Sequence, residues 1–305
     1  MNIKCFVRLR ISMLVVTAAA GALLGGGTAV VPSQAVAAPP IMRAEATRIT
    51  LQGAVNVRDI GGYATYTGDP TKAGKVIRAD ALGKLTDADV QKLGTLGIKT
   101  VIDFRTQAEV GAQGADRVPA GATAVARPIS DAGMYLKMVQ AIGSKDPAVQ
   151  QAALGDGKAE QMMRDTYLSF LSADSMAKFG QTIKDIAASN GATLYHCTAG
   201  KDRTGWMTYV MLRAAGVPES IARQDYLLSN QYRSAADAAQ RAQLKQAGIM
   251  QNPDLLIPLQ VVSDEYLNTA VDQMNQQFGD FGNFLTKGLG LDAATILKLH
   301  RTLVG

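Results

Sequence analysis

Ala192-Thr193-Leu194-Tyr195-His196-Cys197-Thr198-Ala199-Gly200-Lys201-Asp202-Arg203-Thr204-Gly205-Trp206 is the stretch whose reading decides the fold. Residues 192–196 are β-branched, aromatic or apolar and predict a buried strand. Arg203 to Ala215 predicts a helix, stopped by Gly216 with Pro218 close behind. A loop between a buried strand and a helix N-terminus gathers unpaired N–H groups and the positive end of the helix dipole at one spot. Such a spot attracts an anion and favours the ionised form of a neighbouring thiol, so Cys197 is expected as a thiolate.

The residue types in the loop specify the anion. Cys197, five further residues and Arg203 place a sulfur nucleophile opposite a planar guanidinium that grips two oxygens of a phosphoryl group. The backbone of Thr198, Ala199, Gly200 and Lys201 supplies inward N–H groups, and Gly200 permits an approach that a side chain would block. Thr204 offers a hydroxyl to the thiolate as it leaves, and Gly205 completes the pattern. Cys-x5-Arg alone is weak evidence. With His196 before it, Gly200 inside it and Thr204-Gly205 after it, chance agreement falls to on the order of one in ten thousand. An inert buried cysteine is the plain alternative. A nucleotide-binding P-loop is excluded, because Gly200-Lys201 is followed by Asp202 rather than Ser or Thr and no Gly lies five places earlier.

Cleaving a phosphate ester also needs an acid for the leaving oxygen. Trp206 is the sole tryptophan and follows the loop, so no Trp-Pro-Asp segment supplies that acid. Asp202 inside the loop and Asp103 at the end of a predicted strand are the candidates, with Asp131 and Asp80 behind them. Asp103 has a second reading as an ion-pair partner of Arg203 or Arg105, and Asp202 one as a solvated loop carboxylate. Lys201 either adds positive charge beside the phosphate, or a second anionic group, or faces solvent. On a strand the His196 ring points away from the Cys197 side chain, which suits steadying the loop rather than acting as base. His300 is expected to be structural or exposed. No metal-ligand cluster is expected from two histidines and one mature cysteine, and no cofactor.

The rest of the chain is read around this loop. Lys4, Arg8 and Arg10, the apolar run Ile11–Leu24 and Ala35-Val36-Ala37 have the layout of a secretory signal peptide over residues 1–38. A membrane anchor fits less well, since the apolar run is short and broken by Gly25-Gly26-Gly27. Removing that leader takes three positive charges and brings the formal charge from +5 to +2, which removes the case for a nucleic-acid partner. Cys5 leaves as well, so Cys197 becomes the one mature thiol of an exported, periplasmic or secreted protein. No stable membrane span remains. Apolar content of 47% and charged content of 19% exclude wholesale disorder.

Residues 39–50 form a Pro- and Ala-rich lead-in and residues 51–305 one folded domain. Thr86 is a plausible N-cap for a helix over Asp87–Leu96, with Val90, Leu93 and Leu96 at helical spacing and Gly97 as its stop. Ile98–Phe104 predicts a short buried strand. That helix–strand step argues an α/β fold. Residues 131–160 are less regular, either a mobile insertion or one or two surface helices. Thr166–Leu171, Met176–Ala188, Val261–Phe278 and Ala293–Leu303 predict helices, so the C-terminal part is mainly helical.

His-Cys-x-x-Gly-Lys-Asp-Arg-Thr-Gly resembles the signature of the bacterial protein-tyrosine/serine phosphatase family. Asn56-Val57-Arg58-Asp59-Ile60-Gly61-Gly62 resembles that family's N-terminal motif, and Arg78-Ala79-Asp80-Ala81-Leu82 its next segment. Asp103-Phe104-Arg105 and Asp225-Tyr226-Leu227-Leu228-Ser229-Asn230 match further segments. The resemblance implies a cysteine-dependent phosphatase fold with a central, mostly parallel sheet flanked by helices. It also implies that residues 131–160 correspond to a helical lid, although they match poorly in sequence.

The expected activity is hydrolysis of a phosphomonoester through a phosphocysteine. A phosphoprotein carrying phosphotyrosine is the leading substrate, with phosphoserine, phosphothreonine and a phospholipid (a phosphoinositide) implied by the resemblance. Rival functions are a phosphate-binding module without turnover, and a phosphatase for a small exported ester such as an inositol phosphate. Sulfur transfer also uses a Cys loop, but Arg203-Thr204-Gly205 suits an oxyanion ester better. Oligomeric state is not readable from the sequence.

Overall fold

Residues 46–305 are described by the computed structural model. The expected leader, Cys5 and the first part of the lead-in lie outside those residues. Short strands β1 (Thr47–Arg48) and β2 (Arg58–Asp59) precede β3 (Val76–Ala79). Helix α1 (Asp87–Gly94) begins where Thr86 accepts from the Asp89 N–H at 3.2 Å and the Asp89 carboxylate accepts from the Thr86 N–H at 3.0 Å. The helix ends two residues before Leu96, and Gly97 follows at φ +67° as the turn into β4 (Ile98–Asp103).

Helix α2 (Gln107–Gln113) comes next, opened by a second capping box between Thr106 and Glu109. No helix was expected there. After β5 (Thr123–Ala126), residues 131–160 resolve as surface helices: α3 (Met134–Ser144), α4 (Pro147–Leu154) and the start of α5 (Lys158–Ser169). Helix α6 (Ala173–Ala188) leads to β6 (Ala192–His196), then α7 (Arg203–Ala214) and the long α8 (Glu219–Gln246). Helices Asp264–Phe278 and Ala293–Leu303 complete the C-terminal part. The former starts three residues later than expected because Ser263 accepts from the Tyr266 N–H and caps it.

The six strands form one sheet in the order β1-β2-β3-β6-β4-β5. The two outermost pairings at the β1 edge are antiparallel and the other three are parallel, which matches the expected mostly parallel α/β sheet. β6 is buried at every position, as expected of a parallel strand covered on both faces. Ala79 of β3 and Asp103 of β4 both pair with His196, so the C-terminal ends of β3, β6 and β4 are level. Ligands bind at such an end in open α/β sheets, where connections leave to either side.

The core lies in two layers. Leu194 and Ala192 pack with Ile77, Leu93 and Val101 on one face. Tyr195 and Cys197 pack with Phe104, Phe179, Ile183 and Trp206 on the other. The period-2 alternation therefore puts Cys197 on the helical-layer side and His196 on the opposite side. Burying side chains such as Phe179 and Ile183 contributes about 1.5–3 kcal/mol each, which anchors α6 beneath the sheet. Among the described residues no helix is long and apolar enough to cross a membrane.

Candidate active site

The loop after β6 is shaped from outside. Gly200 adopts φ +65°, and a Cβ there would lie 2.4 Å from the Ala79 carbonyl, so glycine alone fits. Asn56 Nδ2 donates to the carbonyls of Ala199 and Gly200 at 3.0 Å each, and Arg78 Nη2 donates to Gly200 at 2.7 Å. Arg233 Nη1 adds a 3.3 Å bond to Ala199. The carbonyls are thus drawn toward the scaffold. None of the N–H groups of residues 198–202 donates to an acceptor among the described residues. Such unpaired donors, ahead of the twelve-residue α7, are what a bound oxyanion requires.

A buried ionic cluster holds these outer partners. Asp225 on α8 accepts from Arg58 Nε at 2.9 Å, Arg78 Nη1 at 2.6 Å and the Tyr63 hydroxyl at 3.0 Å. Arg58 Nη1 also donates to Asn56 Oδ1 at 2.6 Å. Burial works to raise the Asp225 carboxyl, but Arg58 and Arg78 outweigh it and hold it at about 2. Gly205, on the first turn of α7, packs so closely that a Cβ would sit 2.9 Å from the Tyr226 ring.

Arg203 is gripped by a residue the sequence did not point to. Glu109 accepts from Nη1 at 2.8 Å and from Nη2 in a two-pronged pair, and Nη1 also reaches the carbonyls of Phe104 and Ile129. Thr198 Oγ1 donates to the same carboxylate at 2.6 Å. Burial alone would raise Glu109; the hydrogen bonds and charge of Arg203 bring it to about 2. The Arg203 Nε–H and the second Nη2 hydrogen stay unbonded, an edge that presents two donors to two oxygens. Glu109 was legible in part: Thr106-x-x-Glu109 is a capping-box spacing, but nothing local links it to Arg203.

Cys197 is 2% exposed and lines a cavity of about 690 Å³ with Thr198, Ala199, Lys201, Asp202 and Arg203. Met134, Tyr135 and Met138 of α3 form one wall, and Arg233, Asp237 and Gln240 of α8 another. The insertion 131–160 thus contributes wall to the cavity. Thr204 Oγ1 is buried without a hydrogen-bond partner, so the bond to the thiol expected of it is not formed.

The acid candidates separate clearly. Asp202 lines the cavity, and its Oδ1 accepts from Lys201 Nζ at 2.9 Å and from the Tyr167 hydroxyl at 3.0 Å. It is not a solvated carboxylate, and Lys201, 2% exposed, does not face solvent. Asp103 is not among the cavity's lining residues; both its oxygens accept from Arg105, whose Nη2 also reaches Asp116 at 2.8 Å. That arrangement is the ion pair with Arg105 that was the second reading of Asp103. Asp131 caps α3 through the Gly133 and Tyr135 N–H groups, and Asp80 accepts from Val55 and Asn56.

His196 turns away from the thiol, as expected, with Nε2 2.8 Å from Asp116 and Nδ1 3.2 Å from the Cys197 carbonyl. No metal-ligand set was expected, yet the fold gathers Asp103, Asp116 and His196 within ligand reach of one another. Arg105 ion-pairs with both carboxylates and supplies the countercharge an ion would bring.

Known proteins resemble this chain in sequence. A protein of Cupriavidus necator, named provisionally as a tyrosine-protein phosphatase, is 29% identical over 79% of this chain and 84% of its own. The triple specificity protein phosphatase PtpB of Mycobacterium tuberculosis is 27% identical over 84% of this chain and 98% of its own. A tyrosine-protein phosphatase of Nostoc commune is 33% identical over 51% of this chain and 48% of its own. The model of the tyrosine phosphatase family matches residues 49–305, and with them every part of the loop and its scaffold. The chain belongs to the tyrosine phosphatase family.

Proposed function

We propose that this phosphatase works through a phosphocysteine, with all the reacting groups drawn from residues 197–203. Cys197 Sγ attacks phosphorus while the ester oxygen departs with a proton from Asp202. The N–H groups of residues 198–202 and the free edge of Arg203 hold the equatorial oxygens as charge builds on them. Water then attacks the phosphocysteine, gives its proton to Asp202, and the thiolate leaves. The unpaired amides around Cys197 are the observation that carries this reading.

Phosphotyrosine is the proposed substrate, because Met134, Tyr135 and Met138 offer apolar and aromatic surface beside the thiol where a phenyl ring would lie. The name of the Mycobacterium relative supports a wider range, and phosphoserine, phosphothreonine and phosphoinositides are the further substrates proposed. Purified protein should release phosphate from an aryl phosphate without added metal, and Cys197→Ser should remove that activity. Activity retained in that variant would overturn the scheme. A panel of the four phosphoester classes, compared by kcat/KM, tests the preference.

Export is proposed from the basic, apolar and small-residue order of residues 1–38. N-terminal sequencing of protein from the culture medium and the periplasm tests it, with cleavage expected near Ala37 or Ala38.

A further inference from the structure

The position of Asp202 is unusual for its place in the chain. It is the N-cap of α7, where an aspartate ordinarily accepts from the N–H of the second or third helical residue, yet its side chain caps nothing. Instead both donors that reach it, Lys201 Nζ and the Tyr167 hydroxyl, fall on Oδ1. Oδ2 has no hydrogen-bond partner and is not sealed away, so it is the oxygen left to the cavity.

Tyr167 sits on α5, fully buried and outside the cavity lining. Its oxygen lies 2.7 Å from the Tyr226 hydroxyl of α8, and Tyr226 in turn reaches the Ser263 carbonyl at 3.3 Å. Lys201 Nζ is itself tethered to the Val261 carbonyl at 3.2 Å. Oδ1 is therefore held by groups anchored on three separate segments. Burial keeps both phenols well above their ordinary range, so they act here as neutral hydrogen-bond groups.

Resting on the proposed role of Asp202 as the acid, we infer that Tyr167 is a positioning residue: by occupying Oδ1 it leaves Oδ2 to carry the proton and aims it into the cavity. With Oδ1 taken by two donors, a proton placed there would break one of those bonds. Protonation at Oδ2 breaks none and puts the hydrogen on the side where the ester oxygen departs. Tyr226 acts one step behind: donating its single hydrogen to Tyr167 over 2.7 Å rather than to the Ser263 carbonyl over 3.3 Å commits the Tyr167 hydrogen to Asp202.

Other charged and titratable groups face this carboxylate from the surrounding elements. Lys201 and Cys197 lie in the loop, Arg203 on α7, Glu109 on α2, Tyr226, Arg233 and Asp237 on α8, and Tyr266 on the helix Asp264–Phe278. All of them stay in place in a Tyr167→Phe variant, which removes one oxygen and keeps the packed ring. Losing a donor destabilises the ionised carboxylate. The alkaline limb of the kcat/KM profile, which follows loss of the acid's proton, should therefore move up by about one pH unit.

The test is the pH–rate profile of wild type, Tyr167→Phe and Asp202→Asn, each on an activated and an unactivated aryl phosphate. The expected result is an upward-shifted limb in Tyr167→Phe and no such limb in Asp202→Asn. A uniform loss of rate in Tyr167→Phe with the limb unmoved, while Asp202→Asn abolishes it, overturns the inference and leaves the acid assignment standing. An Asp202→Asn variant that keeps the wild-type limb overturns the acid assignment, and the inference with it. If Tyr167→Phe does not fold, Tyr226→Phe decides the matter. A smaller shift of the same sign supports the positioning role, and an unmoved limb refutes it.

Discussion

The floor and the α3 wall of the cavity are built on opposite principles. Under the loop, Arg58, Arg78 and Asp225 are sealed from solvent and meet through charged hydrogen bonds at 2.6 and 2.9 Å. Along α3 and the adjoining α4, Leu136, Val139 and Val149 are exposed at 51%, 43% and 46%, and only Ala141 of α3 is buried; of the three exposed residues, Val139 lines the cavity. A buried ion pair costs desolvation and tolerates one geometry, which suits a loop that must hold its amides in place. An apolar wall with few buried contacts tolerates many geometries, which suits contact with varied substrates. The proposed function accordingly places the chemistry over the buried side and substrate contact on the exposed apolar one.

Breaking the floor should produce the largest effect. Asp225→Ala leaves two buried guanidiniums without their carboxylate and should cost about 3–5 kcal/mol, read as a lower midpoint in urea. Loss of phosphatase activity should accompany it. A variant of wild-type stability would mean that the cluster does not support the loop.

Glu109→Gln is expected to act on the chemistry more than on the fold. It keeps the shape but loses the charge that fixes Arg203, so kcat should fall by about a hundredfold, in the range of other lost transition-state contacts. A fall in kcat/KM through KM alone would instead assign Glu109 to substrate binding.

Acid should weaken both the floor and the Glu109–Arg203 pair. Glu109 and Asp225 are each held at about 2, below the ordinary values of 4.5 and 3.8. Groups depressed on folding contribute stability that is present above their unfolded values and lost as pH falls toward 2. Each should account for on the order of 2 kcal/mol, measured as a drop in unfolding free energy between about pH 5 and pH 2. A flat profile across that window would contradict the pairing.

The wall should respond least. Val139→Ser removes a half-exposed apolar side chain and should change stability by less than about 0.5 kcal/mol. Its effect should appear as a raised KM for aryl phosphates with kcat nearly unchanged. An equal effect on both would erase the division between floor and wall.

Legibility in the sequence followed the range of the interactions. The strand Ala192–His196, the helix after the loop and the cap at Thr86 were visible because they depend on neighbours a few residues apart. The sides taken by His196 and Cys197 follow from strand alternation alone. Helix α2 was missed because only Thr106 and Glu109 mark it and it has little apolar periodicity. Asp103 was readable both as an acid and as an ion-pair partner of Arg203 or Arg105, and the fold forms the Arg105 pair, two residues on.

What the sequence determined by itself was the loop, the place of Cys197 at its head and the strand–helix frame, since spacing over ten residues sets all three. The tertiary structure alone decided the partners. Glu109 meets Arg203 across 94 positions, Asp225 meets Arg58 across 167, and Tyr167 meets Asp202 across 35. No local pattern encodes such pairs. They form because folding brings buried charges and hydroxyls together in a medium where an unpartnered polar group is costly.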